Sequence, residues 1–300
     1  MATADLKNIR GIVLREFNYK ESSKIIEVFT ETMGKISISC QGVLKKNSKN
    51  LALTTRFILA SFDLYKSGKE FYGLREGIVL NPYYKSNKNF DIILYKSAIC
   101  DLLLRTIDHI QIGTVFTLLT NSFDAFEEAE KNQVNIFLGF LLKYISFSGF
   151  KPNFKTCGIC GKNIRGKYLY FSPSESSAIC DECKDQIFDR VFMTYEEFVY
   201  FNKLLYTKSE ELEDIKLVEA YPKIGKIIID YCLKNLDLAT YPSLEWVKKA
   251  LERNVNVLWR FNTKTRGVLE RTRLFGHDSI RHRKGCRNYE PSHIFKGSWS

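Results

Sequence analysis

Lys35-Ile-Ser-Ile-Ser-Cys-Gln41 decides the fold of the first third of this chain. Ile36, Ile38 and Cys40 fall on one side, and Lys35, Ser37, Ser39 and Gln41 on the other. That is the period of a strand with one buried and one polar face. Upstream, Gly34 after Thr32 and Met33 marks a tight turn. Before it, Lys24-Ile-Ile-Glu-Val-Phe-Thr30 and Arg10-Gly-Ile-Val-Leu-Arg-Glu-Phe17 read as two more strands. Downstream, Arg56 to Lys66 and Glu70 to Leu80 read as a fourth and a fifth, joined at Ser67-Gly68 and closed by Asn81-Pro82. Five short antiparallel strands in about 75 residues are too many for a flat sheet with two open edges; the economical arrangement is a small closed Greek-key barrel, the OB-fold. Gly42 to Thr55 is then the connector between strands three and four, and it is polar and basic.

After Pro82 the period changes. Ile93, Leu94, Ala98, Cys100, Leu102, Leu103 and Ile107 recur at helical spacing, and Val115 to Phe126 and Val134 to Phe147 continue in that style. Thr194 with Glu197 is a capping box that opens a helix running to about Tyr206. Ile224 to Leu236 and Leu244 to Leu251 complete a helical bundle. The fold class is thus α+β and multidomain, with three parts: a five-stranded OB-fold barrel over 1–82, an all-α helical domain over 83–250, and a basic tail over 251–300. Apolar positions in the tail lose any sustained period after Phe261, so little packed structure is expected there.

Composition narrows the function. Of 300 residues, 45% are hydrophobic and 26% charged, which excludes disorder throughout, collagen and coiled coil. The longest apolar stretch, Val134 to Phe150, is interrupted by Asn135, Lys143 and Ser146, whereas a membrane span needs about 20 apolar residues. The opening residues lack the apolar core of a signal peptide, so a cytoplasmic protein is expected. The net charge of +11 is uneven: residues 1–89 carry +7, residues 90–250 carry −3 and residues 251–300 carry +7. Two basic flanks around an acidic middle suit a polyanionic partner, nucleic acid before membrane; a solvated basic surface explains the charge equally well.

Cys157-Gly-Ile-Cys160 and Cys180-Asp-Glu-Cys183 make a C-x2-C-x19-C-x2-C pattern. Two intervening residues let both sulfurs of a pair reach one tetrahedral ion, and Zn²⁺ suits four thiolates in a closed, structural site. A disulfide framework is disfavoured in a cytosolic chain; a redox Cys-x-x-Cys leaves the second pair unexplained. Cys40, Cys100 and Cys232 sit in apolar patterns and read as core thiols. Phosphate-binding glycine loops and metalloprotease motifs are absent, and His109, at a helix end, has no nucleophile to serve, so the chain reads as a binding protein and not an enzyme.

The order of these parts resembles RecO, the bacterial recombination mediator family. Gly11-Ile-Val-Leu-Arg-Glu-Phe-Asn-Tyr-Lys-Glu-Ser22 is similar to that family's first strand and turn. Glu31-Thr-Met-Gly-Lys-Ile-Ser37 and Cys40-Gln-Gly-Val-Leu-Lys-Lys46 are similar to the next, and Phe62-Asp-Leu-Tyr65 and Leu74-Arg-Glu76 to the last two. Gly149-Phe-Lys-Pro152 before Cys157, and Phe171-Ser-Pro173 before Cys180, resemble its zinc segment, which here would be an insertion at 155–186. The likeness extends from Ile9 to about Ser243-Leu-Glu-Trp-Val247 and leaves 251–300 outside it. It implies a protein that binds single- and double-stranded DNA and anneals complementary strands coated by single-strand-binding protein (SSB). It further implies partnership with RecR to load RecA in recombinational repair, at the nucleoid. In the helical domain it implies an apolar groove with a cation at its rim for the acidic C-terminal peptide of SSB.

The residues suit that work. Annealing makes and breaks no bond; it needs cations that offset phosphate repulsion and release counterions. Arg10, Arg15, Lys35, Lys45, Lys46, Lys49, Arg56 and Lys66 are the DNA-binding candidates, and Tyr19, Tyr65 and Tyr72 the stacking candidates, although barrel tyrosines also serve as core or rim. Lys162, Arg165 and Lys167 form a secondary basic set on the knuckle. Two alternatives remain open: a general OB-fold single-strand binder, of RNA for example, and a nucleic-acid-modifying enzyme with a structural zinc.

Overall fold

The computed structural model describes residues 5–67, 71–106, 111–164 and 168–253, all within one compact unit. Five strands open the chain: β1 (Asp5–Tyr19), β2 (Ser23–Thr30), β3 (Gly34–Cys40), β4 (Leu59–Ser67) and β5 (Phe71–Asn81). They close into a barrel in the order β1-β2-β3-β5-β4, with the parallel β3–β5 pair sealing it. This is OB topology. In β3 the alternation is literal, since Ile36, Ile38 and Cys40 are buried and the residues between them are half-buried. Together with Val13, Ile26, Val28, Phe62 and Leu64 they fill the barrel.

β1 departs from alternation, because Gly11, Ile12, Val13 and Leu14 are all buried. Val13 points into the barrel, while Ile12 and Leu14 join the core of the helical part. A strand covered on both faces has no polar side to show, which explains the unbroken apolar run.

The helices are α1 (Phe90–Thr106), α2 (Ile112–Glu128), α3 (Gln133–Phe147), α4 (Tyr195–Tyr206) and α5 (Tyr221–Asn235), with α6 over 242–253. Thr194 and Glu197 form the expected capping box: the Glu197 amide donates to Thr194 Oγ1 at 3.3 Å, and the Thr194 amide to Glu197 Oε2 at 2.9 Å. Asn135, a polar break in the apolar α3, is fully buried and fully partnered. It accepts from the Tyr200 hydroxyl at 2.5 Å and donates to the Leu212 and Ile215 carbonyls. Among the described residues no helix is long and apolar enough to cross a membrane.

Between α3 and α4 lies a second sheet that the sequence pattern did not disclose. Its strands are β6 (Asn153–Cys157), β7 (Tyr168–Ser172), β8 (Ser177–Ile179) and β9 (Val191–Thr194), in the order β6-β8-β7-β9. Phe171 is fully buried and bolts this sheet to the helices, with ring centroids 5.2 Å from Phe154, 5.7 Å from Phe201 and 5.4 Å from Tyr231. The expectations for the hairpin at Gly68, for His109, for Arg165 and Lys167, and for the tail beyond residue 253 lie outside the described residues.

Candidate metal centre and nucleic-acid interface

Cys157 ends β6, and Cys180 follows β8 directly, so the second sheet carries both cysteine pairs to one place. Each pair turns back on itself: the Gly161 amide donates to the Cys157 carbonyl at 3.0 Å, and the Cys183 amide to the Cys180 carbonyl at 3.1 Å. Gly161 takes φ +71°, a left-handed conformation that glycine adopts without strain. The four sulfurs lie within 4.8 Å of one another, and Cys160 and Cys180 Sγ are 3.8 Å apart.

A disulfide needs about 2.05 Å between sulfurs, and all four cysteines are free. A tetrahedral ion with metal–sulfur bonds of about 2.3 Å sets sulfurs about 3.8 Å apart. The donor set therefore fits a thiolate-bound metal. Burial raises the Cys157 thiol, but amide donors from Cys160, Cys180 and Ile159 outweigh it and bring it down to about 6. Cys40 and Cys100, by contrast, are buried in apolar surroundings and pushed up to about 12, as inert core thiols should be.

The eight barrel cations separate into four groups. Lys45, Lys46 and Lys49 stand exposed on the β3–β4 connector and have no carboxylate partner among the described residues. Lys66 is exposed and lies 4.8 Å over the Tyr72 ring. Arg10 and Arg15 are neutralised, the first by Glu31 at 3.2 Å and the second by its cross-strand partner Glu27 at 2.6 Å. Lys35 and Arg56 serve the fold. Lys35 Nζ donates to the Leu104 carbonyl at 3.0 Å, and Arg56 donates to the Leu14 carbonyl at 2.8 Å and pairs with Asp101 at 3.4 Å.

Of the tyrosines, Tyr19 is 45% exposed, with Lys20 5.3 Å over its ring. Tyr65 is laid across Gly73 on the neighbouring strand, where a β-carbon would fall 2.0 Å from its ring, and Arg75 covers it at 5.1 Å. On the knuckle, Lys162 is paired with Glu182 at 2.7 Å. Reading charge alone missed these pairings, because the partners lie 12 to 21 positions apart and meet only through the fold; Arg15 with Glu27 follows only once the β1–β2 register is known.

A closed OB barrel with exposed connector lysines, joined to a helical bundle with a four-thiol cluster on an inserted sheet, is an arrangement of a binding protein whose cysteines are placed as a thiolate metal site would require. Residues 1–83 match the family model described as Recombination protein O N terminal, and residues 88–245 that described as Recombination protein O C terminal. The chain belongs to the RecO family of DNA-repair recombination mediators. It is 29% identical to the DNA repair protein RecO of Clostridium acetobutylicum over 178 residues, 59% of this chain and 71% of that protein. It is 25% identical to that of Alkaliphilus metalliredigens over 241 residues, 80% of this chain and 97% of the relative. With the RecO of Caldicellulosiruptor saccharolyticus it shares 26% identity over 250 residues, 83% and 95% of the two chains.

Proposed function

We propose that this protein is a non-enzymatic recombination mediator: it binds single- and double-stranded DNA through the barrel, residues 1–82, and anneals complementary strands coated by SSB. In this reading the helical domain, residues 83–250, receives the acidic C-terminal peptide of SSB, RecR is the protein partner, and RecA is loaded on the product. The setting is cytoplasmic, at the nucleoid.

The observation that carries the reading is the connector bearing Lys45, Lys46 and Lys49, three exposed cations without partners among the described residues, in a chain of a DNA-repair family. Unneutralised lysines are what phosphate contact and counterion release require. Lys66 joins them, while Arg10 and Arg15 can turn to phosphate only by leaving their glutamates. Cys157, Cys160, Cys180 and Cys183 would hold one Zn²⁺, which supplies a structural cross-link and no chemistry.

The test is annealing of complementary strands pre-coated with SSB. Acceleration is expected, and it should fall when the SSB tail is removed. Changing Lys45, Lys46 and Lys49 to Ala should weaken DNA binding alike across sequences and shallow the salt dependence. DNA binding without acceleration would reduce the protein to a general OB-fold binder.

A further inference from the structure

A groove on the helical part is used by neither the barrel nor the cysteine cluster. One wall is the segment 151–155 that enters β6; the other is a single face of α4. Phe198, Asn202 and Tyr206 recur every four residues, so they share that face. The groove encloses about 590 Å³ and has no acidic residue in its lining. Pockets of about 300–1,000 Å³ are the usual size for small ligands.

Its chemistry is mixed in a telling way. Lys151 and Lys155 are exposed, and neither has an ion pair among the described residues. Lys151 Nζ lies 5.0 Å over the ring of Tyr206, which is 60% exposed. Phe198 is half-buried and packs at 5.2 Å against Phe154, a neighbouring residue of the groove lining, which itself stacks on Phe171. The Phe198 ring is therefore already packed on one side before any ligand arrives. Asn202 uses one amide proton on the Phe198 carbonyl at 2.9 Å, leaving its oxygen and second proton to face a ligand.

Aromatic faces, unneutralised cations and an open amide together recognise an unstacked base with its phosphate. Two turns of helix separate Phe198 from Tyr206, which makes two platforms and not one. We propose that this groove holds one or two nucleotides of single-stranded DNA, with bases on Tyr206 and Phe198 and phosphates on Lys151 and Lys155. The proposal rests on the reading that the chain binds single-stranded DNA. It adds what connector lysines cannot supply: bases stacked in a duplex are closed to the groove, so it distinguishes single strands from duplex.

The test uses the full chain and an oligothymidylate carrying 5-iodouridine for photocrosslinking. Crosslinks are expected at Tyr206 or Phe198. Tyr206→Ala should lose about tenfold in single-strand affinity, with duplex affinity and melting temperature unchanged. Changing Lys151 and Lys155 to Ala should shallow the single-strand log–log salt slope by about 1.4. In the Lys45, Lys46 and Lys49 triple variant the groove crosslink should persist. Crosslinks confined to the barrel, with wild-type affinity in Tyr206→Ala, would overturn the groove alone; absence of single-strand binding would overturn the groove and the mediator reading together. A labelled acidic peptide that fills the groove while DNA does not would make it a protein-docking site and overturn the proposal.

Discussion

Lys96 sits in the middle of α1 with no solvent exposure, an expensive place for a cation. Its Nζ donates to Ser86 Oγ at 2.6 Å and Asn87 Oδ1 at 3.2 Å, and lies 4.8 Å over Tyr83 and 4.9 Å over Phe123. Ser86 Oγ in turn donates to Glu127 at 2.6 Å. Burial lowers the Lys96 ammonium to about 8, with Glu127 opposing. Below pH 8 the folded and unfolded chains both hold the proton. Above it the folded chain releases it first, so stability rises with pH, by about 2–3 kcal/mol towards pH 10. Lys96→Met should abolish that rise in denaturant titrations run at stepped pH. At pH 7 it should be no less stable than wild type, because Glu127 keeps the Ser86 hydroxyl and the Lys85 and Ser86 amides, each at 2.9 Å or closer. Lys96→Ala should lose about 2–4 kcal/mol to the cavity. A pH profile identical in wild type and Lys96→Met would refute the burial argument.

At the scale of elements, the second sheet has two anchors beside β8: Phe171, which pairs with Ala178 and packs against the helices, and the thiol cluster, which with an ion bound would tie the end of β6 to the turn after β8. Removing metal with a strong chelator should therefore loosen the knuckle and lower the melting temperature by roughly 5–10 °C, while the helical circular dichroism persists. Phe171→Ala should cost about 3–5 kcal/mol with the metal content unchanged. Chelation that leaves melting unaltered would remove the structural role. This sheet also marks where sequence reading stops. The strand at 35–41 was legible because alternation is a property of neighbours, and the cysteine centre because Cys-x2-Cys is as local. β8 has three residues, and β6 pairs with it in parallel from more than twenty positions away, so neither carries a local period. The groove was illegible for the same reason, since Lys151 and Tyr206 meet only through the fold. Lys96 left a faint signal: it lies four residues after Ile92 and three before Ile99, on the buried stripe.

For the molecule as a whole, one outer face of the barrel is part of the helical core, while the barrel keeps an interior cluster of its own. Ile12, Leu14, Phe29, Phe57 and Leu59 leave the barrel to join the helical core. Phe29 meets Phe116 at 6.1 Å and Phe57 meets Phe123 at 6.2 Å. Lys35 and Arg56 clasp the same seam through the Leu104 carbonyl and Asp101, and Asp101 also accepts from Ser243 at 2.6 Å. Cutting at residue 82 would return those five side chains to water at about 1.5–3 kcal/mol each. That is about the whole stability of a small domain, 5–15 kcal/mol. The fragment 1–82 keeps its interior cluster of Val13, Ile26 and Ile38 but not the outer cover of β1. It should therefore bind hydrophobic dyes and aggregate, whereas the full chain should lose barrel and helix signals in one coincident melting transition. A soluble fragment 1–82 with its own cooperative transition would show that the seam is an interface between independent domains, and the cations that clasp it would then be free to turn toward DNA.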